Sequence, residues 1–575
     1  MLLYVLALLA ATPIGAKNRV ASVVSSGGQL RVESGKIDGA LAYGEYTSGN
    51  SLDGWNYLEL FAAQTPASAE DMVVTRGALG YIEAQLTCQD ILSFFPNFYN
   101  DLLGEEESPG DEVLLFLREQ HEWMVSMSEK LWQEDEYWLA QRALLAQLGG
   151  LYDGFLQSDC LKQQQQQNEG AKEFSWNSLA VSPRLEQFLL INAWGDMYQI
   201  GLKFKMPESR GYSRMFGVQR NRQRRVERCS ALVKVLPDGS DVLFGHNTWD
   251  GYQGMAPRIF KHYSFSLWRG SDAAAQPYDV QFSSSPLLLS SIDDFFVLDG
   301  AANLGVIETT NSLFNVRLLD LVVPQTALSW QRAQVANVLA ASGADWPGLF
   351  ARYHSGTYTN QWIVVDLALF FPGQAPSAGF LSVLEEVPGK VVWADQTAAL
   401  VRQGFWSSYN NPYYSEIRDL SGYTALCRGG ASDACYEQSP RAVLFAQYQG
   451  TVRDMVSMQA LMQYNNYTDD AASGGDACAT IACRGDLPLP LEGGPFGALD
   501  AKISSARLAR RAPAAGQPYA PRVYAHLGPT TSGGALPAFC WSASYPEGSS
   551  EIRYSHQGHP DCFDFAWHTF GRDEK

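Results

Sequence analysis

The chain lacks the short signatures by which common hydrolases and nucleotide enzymes are read. It has no G-x-S-x-G elbow, no H-E-x-x-H pair and no P-loop, which removes the usual warrant for an α/β-hydrolase serine, a zincin or an NTPase. No C-x-x-C occurs, so a zinc ribbon or a thioredoxin-type dithiol has no support. Basic residues are scarce: 42 Lys+Arg stand against 61 Asp+Glu, for a formal net charge of −19. That balance disfavours nucleic acid and anionic membrane surfaces, both of which need a basic patch, and it suits an acidic compartment. Beyond the N-terminus no stretch reaches the roughly 18 apolar residues of a membrane span.

What is present is a core-rich composition: 575 residues, 46% hydrophobic and 12% aromatic, with too few charges for long disorder. Met1 to Ala16, MLLYVLALLAATPIGA, has the form of a secretory signal cleaved near residue 16, the alternative being a buried strand or helix. The signal predicts a protein of the secretory pathway, lysosomal or secreted. Nine cysteines fit that route: Cys88, Cys160, Cys229, Cys427, Cys435, Cys478, Cys483, Cys540 and Cys562. An odd count in an oxidising compartment leaves at least one thiol unpaired, either buried or chemically used. The close pairs Cys427/Cys435 and Cys478/Cys483 read as local disulfides, with Cys88/Cys160 as a further pairing. Asn466-Tyr467-Thr468 is a glycosylation sequon and supports the same route.

Mixed three- and four-residue apolar spacing predicts helix from Asp111 to about Gln157 and again from about Pro183 to Phe204. The glutamine run Gln163 to Gln167 reads as a solvated loop. Arg220 to Arg228, with Arg214, then gathers six arginines in an otherwise acidic chain. It is either an exposed connector or a processing linker, since exposed mobile segments are where proteases cut. After Cys229 the texture changes to strand, Pro237-Asp238-Gly239 turn, strand. Strand candidates recur at 295–299, 304–309, 362–367 and 379–384. A helix-rich N-terminal part followed by a strand-rich remainder is an α+β pattern.

Two groupings could carry chemistry. His556, His559, Asp561 and Asp564, with His568 beyond, have spacing that could serve a metal, but without a third ligand on one element the signal is weak. Cys229 is the stronger candidate. If the chain is cut between Arg228 and Cys229, one residue carries both nucleophile and base, because a free α-amino group has a reference pKa near 7.7–8 and can exchange a proton with the thiol. The alternative is a buried core or disulfide cysteine.

Cys229-Ser230-Ala231-Leu232, Gly245-His246-Asn247-Thr248-Trp249, Ile307-Glu308-Thr309-Thr310-Asn311, Ser355 to Trp362, Glu386-Val387-Pro388-Gly389, Pro440-Arg441-Ala442, Tyr464 to Tyr467, Gly528-Pro529-Thr530 and His556 to Asp561 together resemble the phospholipase B-like, or lamina ancestor, family. The resemblance covers nearly the whole chain after the signal. It implies an N-terminal nucleophile hydrolase: an αββα sandwich made as a precursor that cuts itself at Arg228-Cys229. Residues 17–228 would form a helix-rich fragment ending in the Arg-rich linker, and residues 229–575 the catalytic fragment, the two joined without a covalent bond in one unit.

By that resemblance Cys229 is the nucleophile, His246 lies beside it, Thr310 and Asn360 stabilise the oxyanion or polarise the substrate, and Arg441 belongs to the pocket. Thr359 stands where a second asparagine is expected beside Asn360, and Val387 where a more polar residue is common. Each assignment has a plainer alternative: Thr310 and Asn360 can satisfy strand-end backbone groups, His246 can lock a turn and Arg441 can hold a carboxylate. The implied activity is hydrolysis of ester or amide bonds in phospholipids or N-acyl lipids through a Cys thioester, with no cofactor and no metal. The contrasting reading is a non-catalytic lumenal lipid-binding protein that retains the fold. A papain-like protease would instead need Cys229 to act without becoming N-terminal.

Overall fold

Cys229–Val235 and Asn360–Asp366 are buried along nearly their whole lengths, which requires cover on both faces of each strand. Layering provides it in the computed structural model, which describes residues 18–49, 53–103, 108–167, 174–206, 218–219, 222–223, 229–268, 275–292, 294–487, 494–509, 522–545 and 554–571. The signal segment and Arg228 lie outside the described residues.

An eleven-stranded sheet runs edge to edge through Lys390–Asp395, Leu381–Val387, Asn360–Asp366, Asn303–Thr310, Phe295–Asp299, Gln276–Ser284, Ile259–Leu267, Asn56–Ala62, Ala42–Thr47, Asn18–Ser26 and Gln29–Ser34. A seven-stranded sheet runs through Phe405–Ser408, Cys229–Val235, Val242–Gly251, Asp500–Ser505, Val523–Leu527 and His568–Phe570, with Phe496–Ala498 beside Val242–Gly251. The larger sheet is mixed, because Asn56–Ala62 pairs parallel with Ile259–Leu267.

Alternating side chains of Cys229–Val235 sort into two cores. Ala231 and Val233 pack with Phe295, Ile307, Ile363 and Val383 of the larger sheet. Leu232 packs with Leu444 and Met458, from helices Pro440–Tyr448 and Met455–Met462. The outer face of the larger sheet presents Leu58, Tyr263, Val306 and Val364 to Leu79, Ile82, Ala143 and Val335, from helices Ala69–Leu103, Glu136–Leu156 and Ser329–Leu339. The larger sheet thus packs one face on helices, and residues of its other face share a core with strands of the smaller sheet.

Helix Ala69–Leu103 buries Met72, Thr75, Leu79, Ile82 and Leu86 at helical spacing. Its seam with Glu136–Leu156 is closed by glycine: a Cβ on Gly80 would stand 1.9 Å from the Gln147 carbonyl oxygen, and one on Gly150 2.0 Å from that of Gly77. The fully buried pair Glu83 and Lys261, 2.7 Å apart, ties this helix to the sheet.

The helical windows hold Asp111–Leu131, Glu136–Leu156, Leu185–Asn192 and Met197–Phe204, and each strand candidate coincides with a strand. One expectation is corrected. Gln163 to Gln167 is not a loop but the end of helix Asp159–Gln167, solvated on all but its Leu161 side, as glutamine's good helix propensity permits. Ahead of the helices, residues 18–62 supply four strands of the larger sheet. The disulfides are Cys88–Cys160, Cys427–Cys435, Cys478–Cys483 and Cys540–Cys562. The cysteine left over is Cys229, and it is buried.

Candidate active site

Cys229 opens its strand where the ends of the two sheets meet. On one side its register partner is Thr248. On the other side Ala231 pairs with Ser408, and two more residues of that register set Asn410 opposite Cys229. Asn410 has φ 61°, a left-handed conformation that asparagine tolerates better than most residues. Its Oδ1 accepts the Cys229 N–H at 3.2 Å, and its Nδ2 donates to the Thr310 carbonyl at 2.6 Å.

Arg441, at the start of helix Pro440–Tyr448, locks this arrangement. Its Nη2 donates to Asn410 Oδ1 at 2.6 Å and to the Tyr409 carbonyl at 3.0 Å. Its Nη1 donates to the Cys229 carbonyl and to Ser230 Oγ. The guanidinium also lies over the Trp249 ring, 4.3 Å from its centre, so a planar fork rather than a point charge is required here.

His246 sits on the next strand, opposite Ala231 on one side and Lys502 on the other. It is fully buried, and the Glu308 backbone carbonyl is a hydrogen-bonding group that faces its ring. Burial, then the charge of Lys502, hold its pKa well below the usual histidine value, with Asp500 and the Glu308 carbonyl offsetting this only in part. The imidazole is therefore neutral. Cys229 Sγ, a His246 ring nitrogen and a Glu308 carboxylate oxygen lie within 4.8 Å of one another. Three donors are one short of a structural tetrahedral metal site, and no larger grouping of such residues gathers among the described residues.

Lys502, Asp500 and Arg258 form a buried charge cluster behind this triangle. Lys502 Nζ lies 2.6 Å from Asp500 Oδ1 and donates to Thr248 Oγ1 at 2.6 Å, and Arg258 Nη2 lies 3.1 Å from Asp500 Oδ2. Burial draws Lys502 down to about 8 against the pull of Asp500. Burial would raise Asp500, but Lys502 and Arg258 outweigh it and hold the carboxyl below its usual range.

A small cavity of about 10 Å³ lies against Cys229 between Trp194, Tyr198, Trp249, Ile292, Thr310 and Tyr358. Trp194 and Tyr198 precede residue 228, so both sides of the expected cut line it. Of the residues expected here, Cys229, Thr310 and Arg441 come together directly, with His246 behind the thiol. Asn360 is one strand further away, opposite Thr310 in register. It is buried, with both amide atoms free of hydrogen bonds. Thr359 accepts from Gln199 Nε2 at 3.2 Å and donates to the Asn311 carbonyl at 2.9 Å, a tethering task for which a hydroxyl suffices. Val387 is buried among apolar neighbours.

The C-terminal histidines are spread over separate tasks. His556 stacks on Trp541 with ring centres 4.4 Å apart. His559 engages Trp541 Nε1 and the Gln253 carbonyl. Asp561 accepts from Ser542, His568 meets Asp53 at 2.8 Å and Asp564 is exposed. Sequence reasoning missed Asn410, Tyr358, Asp294 and Lys502, and assigned no role to Glu308. The Asn411-Pro412 step after Asn410 is the one turn signal that pointed there.

Fold and site together define a mixed α+β protein of two stacked sheets with a buried free thiol at a strand start. The chain belongs to the phospholipase B family, whose family model matches residues 42–570. It is 34% identical to phospholipase B-like 1 of Homo sapiens over 528 residues, covering 92% of this chain and 86% of that protein. Phospholipase-B 81 of Drysdalia coronoides is 32% identical over 534 residues (92% and 88%), and phospholipase B-like protein G of Dictyostelium discoideum 31% over 549 residues (93% and 87%).

Proposed function

We propose that this protein is an acyl hydrolase of the N-terminal nucleophile type, an αββα sandwich that cuts itself between Arg228 and Cys229. The observation that carries the reading is the lone free thiol at the first residue of a strand, with its own nitrogen held by Asn410 Oδ1. An acceptor at that nitrogen suits the amide of the uncut chain and, equally, the amine of the cut one.

In the mature enzyme the amine takes the thiol proton, the thiolate attacks an acyl carbonyl, and the amine returns the proton to the leaving group. The Asn360 amide, buried without a protein partner, and the Thr310 hydroxyl are the donors available to a developing oxyanion, each such donor contributing about 3–4 kcal/mol in other hydrolases. Water then releases the acid.

The substrate class is an ester or amide of a phospholipid or an N-acyl lipid, met in the secretory pathway, in the lysosomal lumen or outside the cell. The cavity, about 10 Å³, is far below the usual ~300–1,000 Å³ of ligand pockets and has room for about one water, so an acyl chain reaches the thiol only if the lining opens. That narrowness also favours the second reading, a binding protein that keeps the fold and the cut without turnover. Family membership and the absence of any helix long and apolar enough to span a membrane, among the described residues, agree with either.

N-terminal sequencing of protein from a secretory host, beside Cys229→Ala, tests the proposal. The wild type should yield a fragment beginning at Cys229 and the variant should not. Fatty-acid release at acidic pH by the cut protein then separates the hydrolase from the binding protein. An uncut wild type overturns the nucleophile assignment.

A further inference from the structure

Self-cleavage poses a difficulty that later turnover does not. Until the Arg228–Cys229 bond is broken the nitrogen of Cys229 is an amide and cannot take the thiol proton. Three other groups face the thiol: His246 and Glu308, within 4.8 Å, and Lys502, whose charge reaches it. His246 is buried beside the cations Lys502 and Arg258, which oppose its protonation. Lys502 already donates to Asp500 and Thr248, and an ammonium paired with a carboxylate is no acceptor.

Glu308 stands in a different setting. Extending the Phe295↔Ile307 pairing by one residue places Asp294 directly opposite Glu308, and both are buried. Two carboxylates facing each other away from water cannot both be ionised, so the pair holds one proton. Burial and Glu308 push Asp294 well above the usual carboxylate range, with Tyr358 offsetting this in part, and of the two facing carboxyls it is Glu308 whose oxygen lies within 4.8 Å of the thiol. The Tyr358 hydroxyl donates to Glu308 Oε1 at 3.2 Å and to the Ile292 carbonyl at 2.8 Å. Asp294 and Tyr358 have φ 36° and 51°, left-handed conformations that cost energy in non-glycine residues and gather at functional sites. Both lie against the same carboxylate.

We propose that Glu308 accepts the Cys229 thiol proton in the self-cleaving step, positioned by Asp294 and Tyr358. The inference rests on the self-cleavage reading above. As sulfur bonds to the Arg228 carbonyl carbon, the S–H proton passes to Glu308, across a gap that one water can bridge. The tetrahedral adduct then expels the Cys229 nitrogen, which takes that proton from Glu308 and becomes the free amine. Water splits the Arg228 thioester, giving the Arg228 carboxylate and restoring the thiol. The charged and titratable groups facing the Asp294–Glu308 pair are Lys502, Asp500, Arg258, His246, Tyr358 and the thiol.

The test follows the appearance of the fragment beginning at Cys229 after cell-free synthesis of the full chain, between pH 4.5 and 8. Glu308→Gln should cut at least ~100-fold more slowly than wild type, the usual scale of a lost general base. Tyr358→Phe should still cut, with the acid limb of its pH profile moved to higher pH, because the carboxylate loses a donor that favours its charged form. If Glu308→Gln does not fold, Glu308→Asp decides, since a carboxylate one methylene shorter must slow the cut. Cutting of Glu308→Gln or Glu308→Asp at the wild-type rate overturns the assignment of Glu308. A wild type that never cuts defeats the self-cleavage reading itself, and this inference with it.

Discussion

The backbone nitrogen of Cys229 and the guanidinium of Arg441 share a single acceptor, Oδ1 of Asn410, at 3.2 and 2.6 Å. That oxygen fixes where the nitrogen lies relative to the thiol's own surroundings. Asn410→Ala should therefore slow the appearance of the Cys229 fragment by about 100-fold, the effect of an error of about 1 Å in placement. It should also cost about 1–3 kcal/mol of stability by leaving buried donors unpaired. Asn410→Asp, which keeps the acceptor, should cut detectably. Fragment appearance and urea unfolding check both.

Arg441→Lys is expected to behave as a loss rather than a conservative change. One ammonium cannot reach the Cys229 and Tyr409 carbonyls, Ser230 Oγ and Asn410 Oδ1 together while stacking on Trp249. Cutting should slow at least ~10-fold, with a stability loss of about 1–3 kcal/mol, read by the same two measurements.

Glu83→Gln removes one partner of the buried pair with Lys261 and leaves a cation inside. Loss of a buried partner costs about 3–5 kcal/mol. Because Glu83 precedes residue 228 and Lys261 follows it, the cut protein should also release its N-terminal fragment at lower urea than wild type. Size-exclusion chromatography across a urea series detects the release.

Glu385 is pushed by burial up to about 7, although Gln361 and the Tyr413 and Tyr414 amides donate to it. From the unfolded value of 4.5 up to about 7 the unfolded chain loses this proton while the folded protein keeps it. The contribution of Glu385 is thus fully present at pH 4 and declines as pH rises through that window, then levels off. At about 1.4 kcal/mol per pKa unit the decline is about 3 kcal/mol at most. Glu385→Gln, compared with wild type by thermal unfolding from pH 4 to 8, should gain on wild type up to pH ~7 and run parallel above it. Parallel curves throughout would refute the burial argument.

Asn466 is exposed just beyond helix Met455–Met462. Asn466→Gln should lower the mass of protein from a glycosylating host by one glycan, with cutting unchanged, as mass spectrometry before and after deglycosylation would show.

The strands around Cys229 were legible because the Pro237-Asp238-Gly239 turn separates two strand-forming segments, and Cys229 itself stood out through its place directly after the Arg-rich segment. Helix Ala69–Leu103 was not read, because Gly77, Gly80 and Pro96 interrupt its apolar period. Those glycines serve a helix seam that no local pattern reveals. Asn410 and the Asp294–Glu308 pair escaped for a different reason: strand register and a positive φ bring them to the thiol, and neither is written in residue spacing. The alternating burial of Ala42–Thr47 shows that its two-residue period was available, but the pairing of its neighbour Asn56–Ala62 with Ile259–Leu267, about two hundred residues further along the chain, was not.

On the proposed cut at residue 228, the parallel pairing of Asn56–Ala62 with Ile259–Leu267 gives maturation a direction in time. While the chain is whole, the two strands meet as neighbours on one tether, at an effective concentration of order mM. After a cut at residue 228 they belong to separate molecules, and none of the four disulfides spans that point. Intact protein can refold alone, whereas cut protein can do so only by a two-body encounter that dilution defeats. Synthesis as one chain is then the only occasion on which the sheet is assembled cheaply, and the finished protein keeps its shape by never coming apart.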